Sequence, residues 1–180
     1  RRNLVSTHYD FHERLCFSKG IVAATSTETV KQLVPGCVSV EIASTEMDKT
    51  GVDYIATLRR GTQVYIDHKI RERGCSRYWK VDCDGKPVPE IAIELWSVKP
   101  RNGRGGKAGW TLDEAKQTHY TMHTFDHSDS LDAFLFPFQL LRKSYRSHFA
   151  IWNSTYPHAT QNSGSWESEC LFVPVSIVFT

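Results

Sequence analysis

The chain has 180 residues, a formal net charge of +2, and a composition that is 40% hydrophobic and 12% aromatic. Those values exclude a disordered or low-complexity chain and fit a single globular domain large enough for a real core. No stretch approaches the roughly 20 apolar residues of a bilayer span, and the first residues do not read as a secretory signal.

Residues 10–19 read as a helix, with Asp10 as N-cap and Phe11, Leu15 and Cys16 along one face. A second helix is predicted from Ser26 to Val34, stopped by Pro35 and Gly36. Residues 37–43 alternate as a strand, with Val38, Val40 and Ile42 on one face and Ser39 and Glu41 on the other.

Residues 52–58 and 63–69 are rich in β-branched and aromatic side chains and are separated by Arg59-Arg60-Gly61. A three-residue loop ending in glycine suits a type I turn followed by a left-handed residue. That loop pairs Leu58 with Thr62 and carries the register through Ile55 and Tyr65 to Asp53 and Asp67. Asp53, Asp67 and Lys69 then share one face, and His68 points to the other. Opposed Cβ atoms lie roughly 4.5–5.5 Å apart, so two bare aspartates there repel unless one is protonated or a cation joins them. Hard oxygen ligands favour Mg²⁺ or Mn²⁺, which retain waters and accept phosphate oxygens. A two-residue loop would instead put the aspartates on opposite faces.

Residues 71–90 mix charge with aromatics and show no regular period. Residues 91–98 read as a strand, with Glu94 inside it either on a solvated face or near the site. Residues 99–109 form a basic, glycine-rich loop suited to approaching phosphates. It is not a nucleotide-binding Walker loop, because Ala108 stands where Ser or Thr is required. Residues 111–117 are predicted as a short helix capped by Thr111 and Glu114. A strand follows over 119–126. His119, His123 and His127 share a face but are too widely spaced on a strand for one metal, and are expected to be exposed or hydrogen-bonded. Residues 131–136 read as a strand closed by Pro137. The longest helix is expected over 138–152, with Leu140, Leu141, Tyr145 and Phe149 inward and Arg142, Lys143 and Arg146 forming a basic face. Residues 153–168 are turn-rich, and 170–179 read as a terminal strand.

The five cysteines, Cys16, Cys37, Cys75, Cys83 and Cys170, are irregularly spaced and contain no C-x-x-C. They suit a reducing, cytoplasmic compartment better than a disulfide framework. Between Arg59 and Lys107 there are twelve Lys/Arg against six Asp/Glu. This excess flanks the hairpin, as a phosphate-tracking surface should. Arg71, Arg73, Arg77, Arg101, Arg104, Lys107 and Lys116 are the candidate nucleic-acid contacts.

Asp53 followed after a turn by Asp67-His68-Lys69 resembles the PD-(D/E)XK nuclease superfamily, which carries an acidic residue on one strand and (D/E)-x-K on the next. Val52 stands where proline is common in that family. The resemblance implies an α+β fold: a central mixed sheet flanked by helices, with an αβββαβ restriction-endonuclease-like core and C-terminal additions. The segment from Tyr9 to Phe17 fits its first helix, with Glu13 as the matching glutamate. The implied activity is Mg²⁺-dependent deoxyribonuclease chemistry. Asp53, Asp67, Glu13 and the His68 backbone carbonyl would serve as metal ligands, and Lys69 would serve the attacking water and the transition state. Glu41 or Glu46 are further candidates for the outer coordination. DNA is the expected partner and a second copy of the chain a candidate one. The alternative is a nuclease-fold protein that binds nucleic acid or a protein without cutting.

Overall fold

The structure is a computed structural model and describes residues 27–71, 80, 81, 83–101, 105–126, 131–162, 164 and 166–180. In chain order the elements are α1 (residues 27–33), β1 (Cys37–Ile42), α2 (Thr45–Lys49), β2 (Tyr54–Leu58), β3 (Gln63–Arg71), β4 (Glu90–Val98), β5 (Lys107–Ala108), β6 (Tyr120–Asp126), β7 (Leu131–Pro137), α3 (Phe138–Thr155), β8 (His158–Asn162), β9 (Glu167–Pro174) and a closing 3-10 turn, Val175–Ile177. The fold is α+β, with a five-stranded mixed sheet ordered β1-β2-β3-β6-β7 and a four-stranded antiparallel sheet ordered β5-β4-β9-β8. Contacts divide the described residues into two compact units. One holds those up to Pro87 together with 115–140, and the other holds 88–114 and 141–180. No described helix is long and apolar enough to cross a membrane.

In the five-stranded unit, β1, β2 and β3 form an antiparallel meander and β6 then pairs parallel to β3. Parallel pairing demands a long crossover. Here the crossover carries β4 and β5, and its described residues contain no helix. The expected helix over 10–19 lies outside the described residues. Residues Tyr54, Ala56, Ile66 and Met122 project from one face of the sheet onto Val30 and Val34 of the α1 segment, all nearly or fully buried. Each such side chain contributes roughly 1.5–3 kcal/mol through removal from water. This packed face fixes the strand register, because a one-residue slip would turn every core side chain toward the opposite face. β1 lies at the sheet edge. Of its predicted apolar face, Val40 packs on the core while Val38 and Ile42 remain exposed. The short helix α2, capped by the Ser44 side chain on the Met47 N–H, had no clear signal in the sequence.

In the four-stranded unit, Ile91, Ile93, Leu171 and Val173 are buried on β4 and β9. Lys99 bridges Glu167 and Glu169 at 2.9 and 3.1 Å, and Glu169 also meets His158 at 2.9 Å. Four expectations change here. Residues 111–117 are turns rather than a helix, because their carbonyls are taken by an arginine. Arg142 Nε donates to the Thr111 carbonyl at 2.9 Å and its terminal nitrogen donates to the Asp113 carbonyl at 2.7 Å. Arg142 is accordingly buried, at 8% exposure, rather than part of a basic outer face. The buried stripe of α3 is Phe138, Leu141, Tyr145 and Trp152, whereas Leu140 and Phe149 stand 54% and 41% exposed. Finally, β8 occupies part of the segment read as turns, and the terminal strand is Glu167–Pro174. Its expected continuation to residue 179 folds into the 3-10 turn after Pro174.

Candidate metal centre on the β2–β3 hairpin

The hairpin register is the one its loop chemistry predicts. Gly61 has φ +79°, its N–H bonds the Leu58 carbonyl at 2.8 Å, and the Leu58 N–H bonds the Thr62 carbonyl at 2.9 Å. Pairing runs Thr57–Gln63, Ala56–Val64, Ile55–Tyr65 and Tyr54–Ile66. Beyond the last pair the ladder is irregular, the Asp53 N–H donating to the Ile66 carbonyl at 2.8 Å, and the Asp53 carboxyl comes into direct contact with that of Asp67. The strand-alternation rule places Asp53, Asp67 and Lys69 on the face away from α1.

Backbone bonds hold the two carboxylates in place. The His68 N–H donates to Asp53 Oδ2 at 2.5 Å. The Asp67 N–H donates to Thr118 Oγ1 at 3.0 Å, and that hydroxyl donates in turn to the Tyr120 carbonyl at 2.8 Å. The His119 N–H bonds the Tyr65 carbonyl at 2.8 Å, and its Nδ1 accepts the Tyr65 N–H at 2.9 Å. These contacts stitch the start of β6 to β3, beside the acidic pair.

Asp67 is 3% exposed. Burial raises its pKa, but the Lys69 ammonium, 2.7 Å from Oδ1, and the more remote Lys116 outweigh burial and hold it below the usual carboxylate range. Asp53 shifts the other way, from 3.8 up to about 7, through burial and then the facing Asp67 charge, against the opposing pull of the His68 N–H and Lys69. Two carboxylates this close cannot both ionise freely. Without a cation, the pair holds a proton on Asp53 up to about pH 7.

Lys116 joins the site through a close approach to Gly51. A Cβ on Gly51 would fall 2.6 Å from Lys116 Nζ, and its φ of +81° also favours glycine. The Gln117 N–H bonds the Thr50 carbonyl at 3.0 Å and ties the two segments together.

His68 lies on the opposite face, as its register requires, with its ring nitrogens 3.4 Å from the Tyr54 hydroxyl and 2.8 Å from Thr124 Oγ1. Burial and then Lys69 depress its pKa to about 4, so it is neutral at physiological pH. His123, expected from sequence to be exposed or hydrogen-bonded, is buried, on the same face as Asp67 and Lys69. It is paired in register with Lys69, and its ring lies 5.4 Å from that of Phe136. Burial and Lys69 lower its pKa to about 3.

The structure therefore brings together Asp53, Asp67, Lys69 and Lys116, and adds Thr118, Thr121 and His123 from around and within β6. Arg71 ends β3 on the same face, half-buried. Glu13, Arg73, Arg77, Arg104 and His127 lie outside the described residues. Arg101 and Lys107 are exposed in the four-stranded unit. Glu94 belongs to that unit too, where its carboxylate accepts from Ser97 Oγ at 2.6 Å and the Trp110 N–H at 3.1 Å. Glu41 and Glu46 are exposed, on β1 and α2.

Among the described residues, no group of three or more His, Cys, Asp or Glu side chains converges on one point. The donor set is two carboxylates, which fits a divalent cation that keeps several of its waters rather than one caged by protein. The direct contact between the two carboxyls supports that fit: Asp53 shares its proton with Asp67, at the place a cation would take. Two carboxyls this close share either a proton or a cation, and a hard divalent cation is the ligand that would replace the proton. No protein-family model, curated protein or solved structure matches this chain.

Proposed function

We propose that the protein is a Mg²⁺-dependent nuclease that hydrolyses phosphodiester bonds, with DNA as substrate. The observation that carries this reading is the adjacent Asp53–Asp67 pair, two carboxyls that share a proton to about pH 7, beside Lys69.

Asp53 and Asp67 would hold the cation, with the His68 carbonyl and Glu13 as the further ligands that the PD-(D/E)XK resemblance implies. A Mg²⁺ or Mn²⁺ held by these residues would supply Lewis-acid activation of water and offset negative charge on the phosphate. On loading, Asp53 would release its proton to solvent, which would make the pair a dianionic seat. Lys69, anchored by Asp67 and 30% exposed, extends from the buried carboxylate toward incoming substrate and stabilises negative charge there. Lys116 adds a second ammonium next to Asp67, and Arg71 a guanidinium on the same face. These groups attract and orient a phosphate anion. The free thiols of Cys37, Cys83 and Cys170 suit a reducing, cytoplasmic setting. A second copy of the chain would allow both strands of a duplex to be cut.

Linear, circular, single-stranded and junction DNA incubated with Mg²⁺ provide the test. The wild-type protein should cleave at least one of them. D67A should not, while keeping its far-UV circular dichroism. Cleavage by D67A at the wild-type rate would sink the assignment.

One observation favours a second reading, binding without cutting: two ammonium groups beside two carboxylates balance charge without any cation. A folded wild-type protein that binds DNA, takes up no Mn²⁺ and cuts nothing would select it.

A further inference from the structure

The sheet face that carries the acidic pair continues onto β6, where Thr121 is the register partner of Asp67. In a parallel pair, register partners project to the same face, with strands about 4.8 Å apart. Thr121 is fully buried and its Oγ1 has no hydrogen-bond partner. Its neighbour across the pair, Asp67, is likewise buried, with the Lys69 ammonium on Oδ1 and the Asp53 carboxyl as side-chain partners. Two buried oxygens on adjacent strands, one from a carboxylate and one from a hydroxyl that both donates and accepts, are an arrangement that sheet packing alone does not call for. A valine would fill the Thr121 position with the same β-branched shape and no desolvation penalty. The buried threonines nearby are used differently: Thr118 and Thr124 spend their hydroxyls on Asp67, Tyr120 and His68.

We propose that Thr121 is a positioning residue of the metal centre, whose hydroxyl with Asp67 Oδ2 holds a water of the divalent cation's hydration shell. The inference rests on the metal-dependent reading given above. A hydroxyl suits this place because a hydrated cation presents polarised O–H donors, which Thr121 Oγ1 accepts. Its own proton can be donated to an oxygen of the same shell. Row by row, the site then runs from Asp53 on the β2 side through Asp67 on β3 to Thr121 on β6, with Lys69 and His123 in the next row. Phe136, paired with Thr121, closes the row on the β7 side with an aromatic ring.

The test is a Mn²⁺ titration followed by the electron paramagnetic resonance signal of the free ion, on wild type, D67A, T121V and T121S. Loss of an outer-shell partner weakens metal affinity about 10- to 100-fold. T121V should show a loss in that range, and T121S, which restores the hydroxyl, should bind like wild type. Metal-free T121V should melt no lower than wild type, which separates a metal role from a packing role. If T121V folds poorly, T121A carries the same affinity prediction. Wild-type affinity in the folded valine or alanine variant would overturn the inference while leaving the metal centre intact. A wild-type protein that binds no Mn²⁺, or a D67A that binds like wild type, would overturn the metal-dependent reading itself and the inference with it.

Discussion

The two aspartates illustrate how position, not residue type, sets acid strength. Asp53 and Asp67 face each other, yet Lys69 lies 2.7 Å from Asp67 and draws the ionised form there, which leaves the proton to Asp53. The consequences for stability have opposite signs. Asp53 holds its proton to about pH 7 when folded but to only 3.8 otherwise, so the folded state binds more protons between those values. The Asp53 contribution to the stability of the metal-free protein therefore falls as pH rises across that window, opposite in sign to the contributions of the buried, neutral His68 and His123. The Asp67 contribution, with its folded pKa depressed, is present above 3.8 and is lost only as pH falls below it. Urea unfolding of metal-free protein at pH 5 and pH 8 checks this: between the two pH values the stability of D53N should rise relative to that of wild type, and an equal change in both proteins would contradict the assignment. Because the cation competes with the Asp53 proton, its affinity should rise with pH up to about 7 and then level off.

At the scale of elements, the hairpin was legible in the sequence because its information is local. Loop length and Gly61 fix the pairing, and the pairing fixes which side chains share a face. The partner strand was not legible. Nothing in residues 63–71 says that β6, some fifty residues later, will lie beside β3, so Thr118, Thr121 and His123 could not be assigned to the site. Lys116 was recognised only as a phosphate-reaching residue. Its seat on Gly51 depends on a contact between distant segments. In α3 the period was read correctly but the stripe was misplaced, because Phe138 and Trp152 and not Leu140 and Phe149 meet the core, and Arg142 is drawn inward by two carbonyls.

The loop dependence can be tested directly. Deleting Arg60 forces a one-residue slip between β2 and β3, which either empties the Tyr54–Ile66 core or parts Asp53 from Asp67. Mn²⁺ binding should be lost. Inserting two glycines after Gly61 preserves the parity of the faces, and lengthening a loop costs only about 0.6 kcal/mol per doubling, so that variant should still bind. A deletion variant that binds Mn²⁺ like wild type would show that the register is not what joins the aspartates.

On the scale of the whole molecule, the five-stranded unit by itself assembles the acidic pair, both ammonium groups and the β6 row. The α+β class with a mixed sheet was expected from the sequence and is what the structure has. The insertion of two strands of another sheet into the β3–β6 crossover was not, because connection topology leaves no periodic trace in composition or spacing. The central claim is that a divalent cation sits between Asp53 and Asp67. Crystals soaked in Mn²⁺ and measured for anomalous scattering test it most directly. The account predicts a peak within coordination distance of both carboxylates in wild type and none at that place in D67A. A map without a peak there, or with Mn²⁺ bound only elsewhere on the chain, would contradict it.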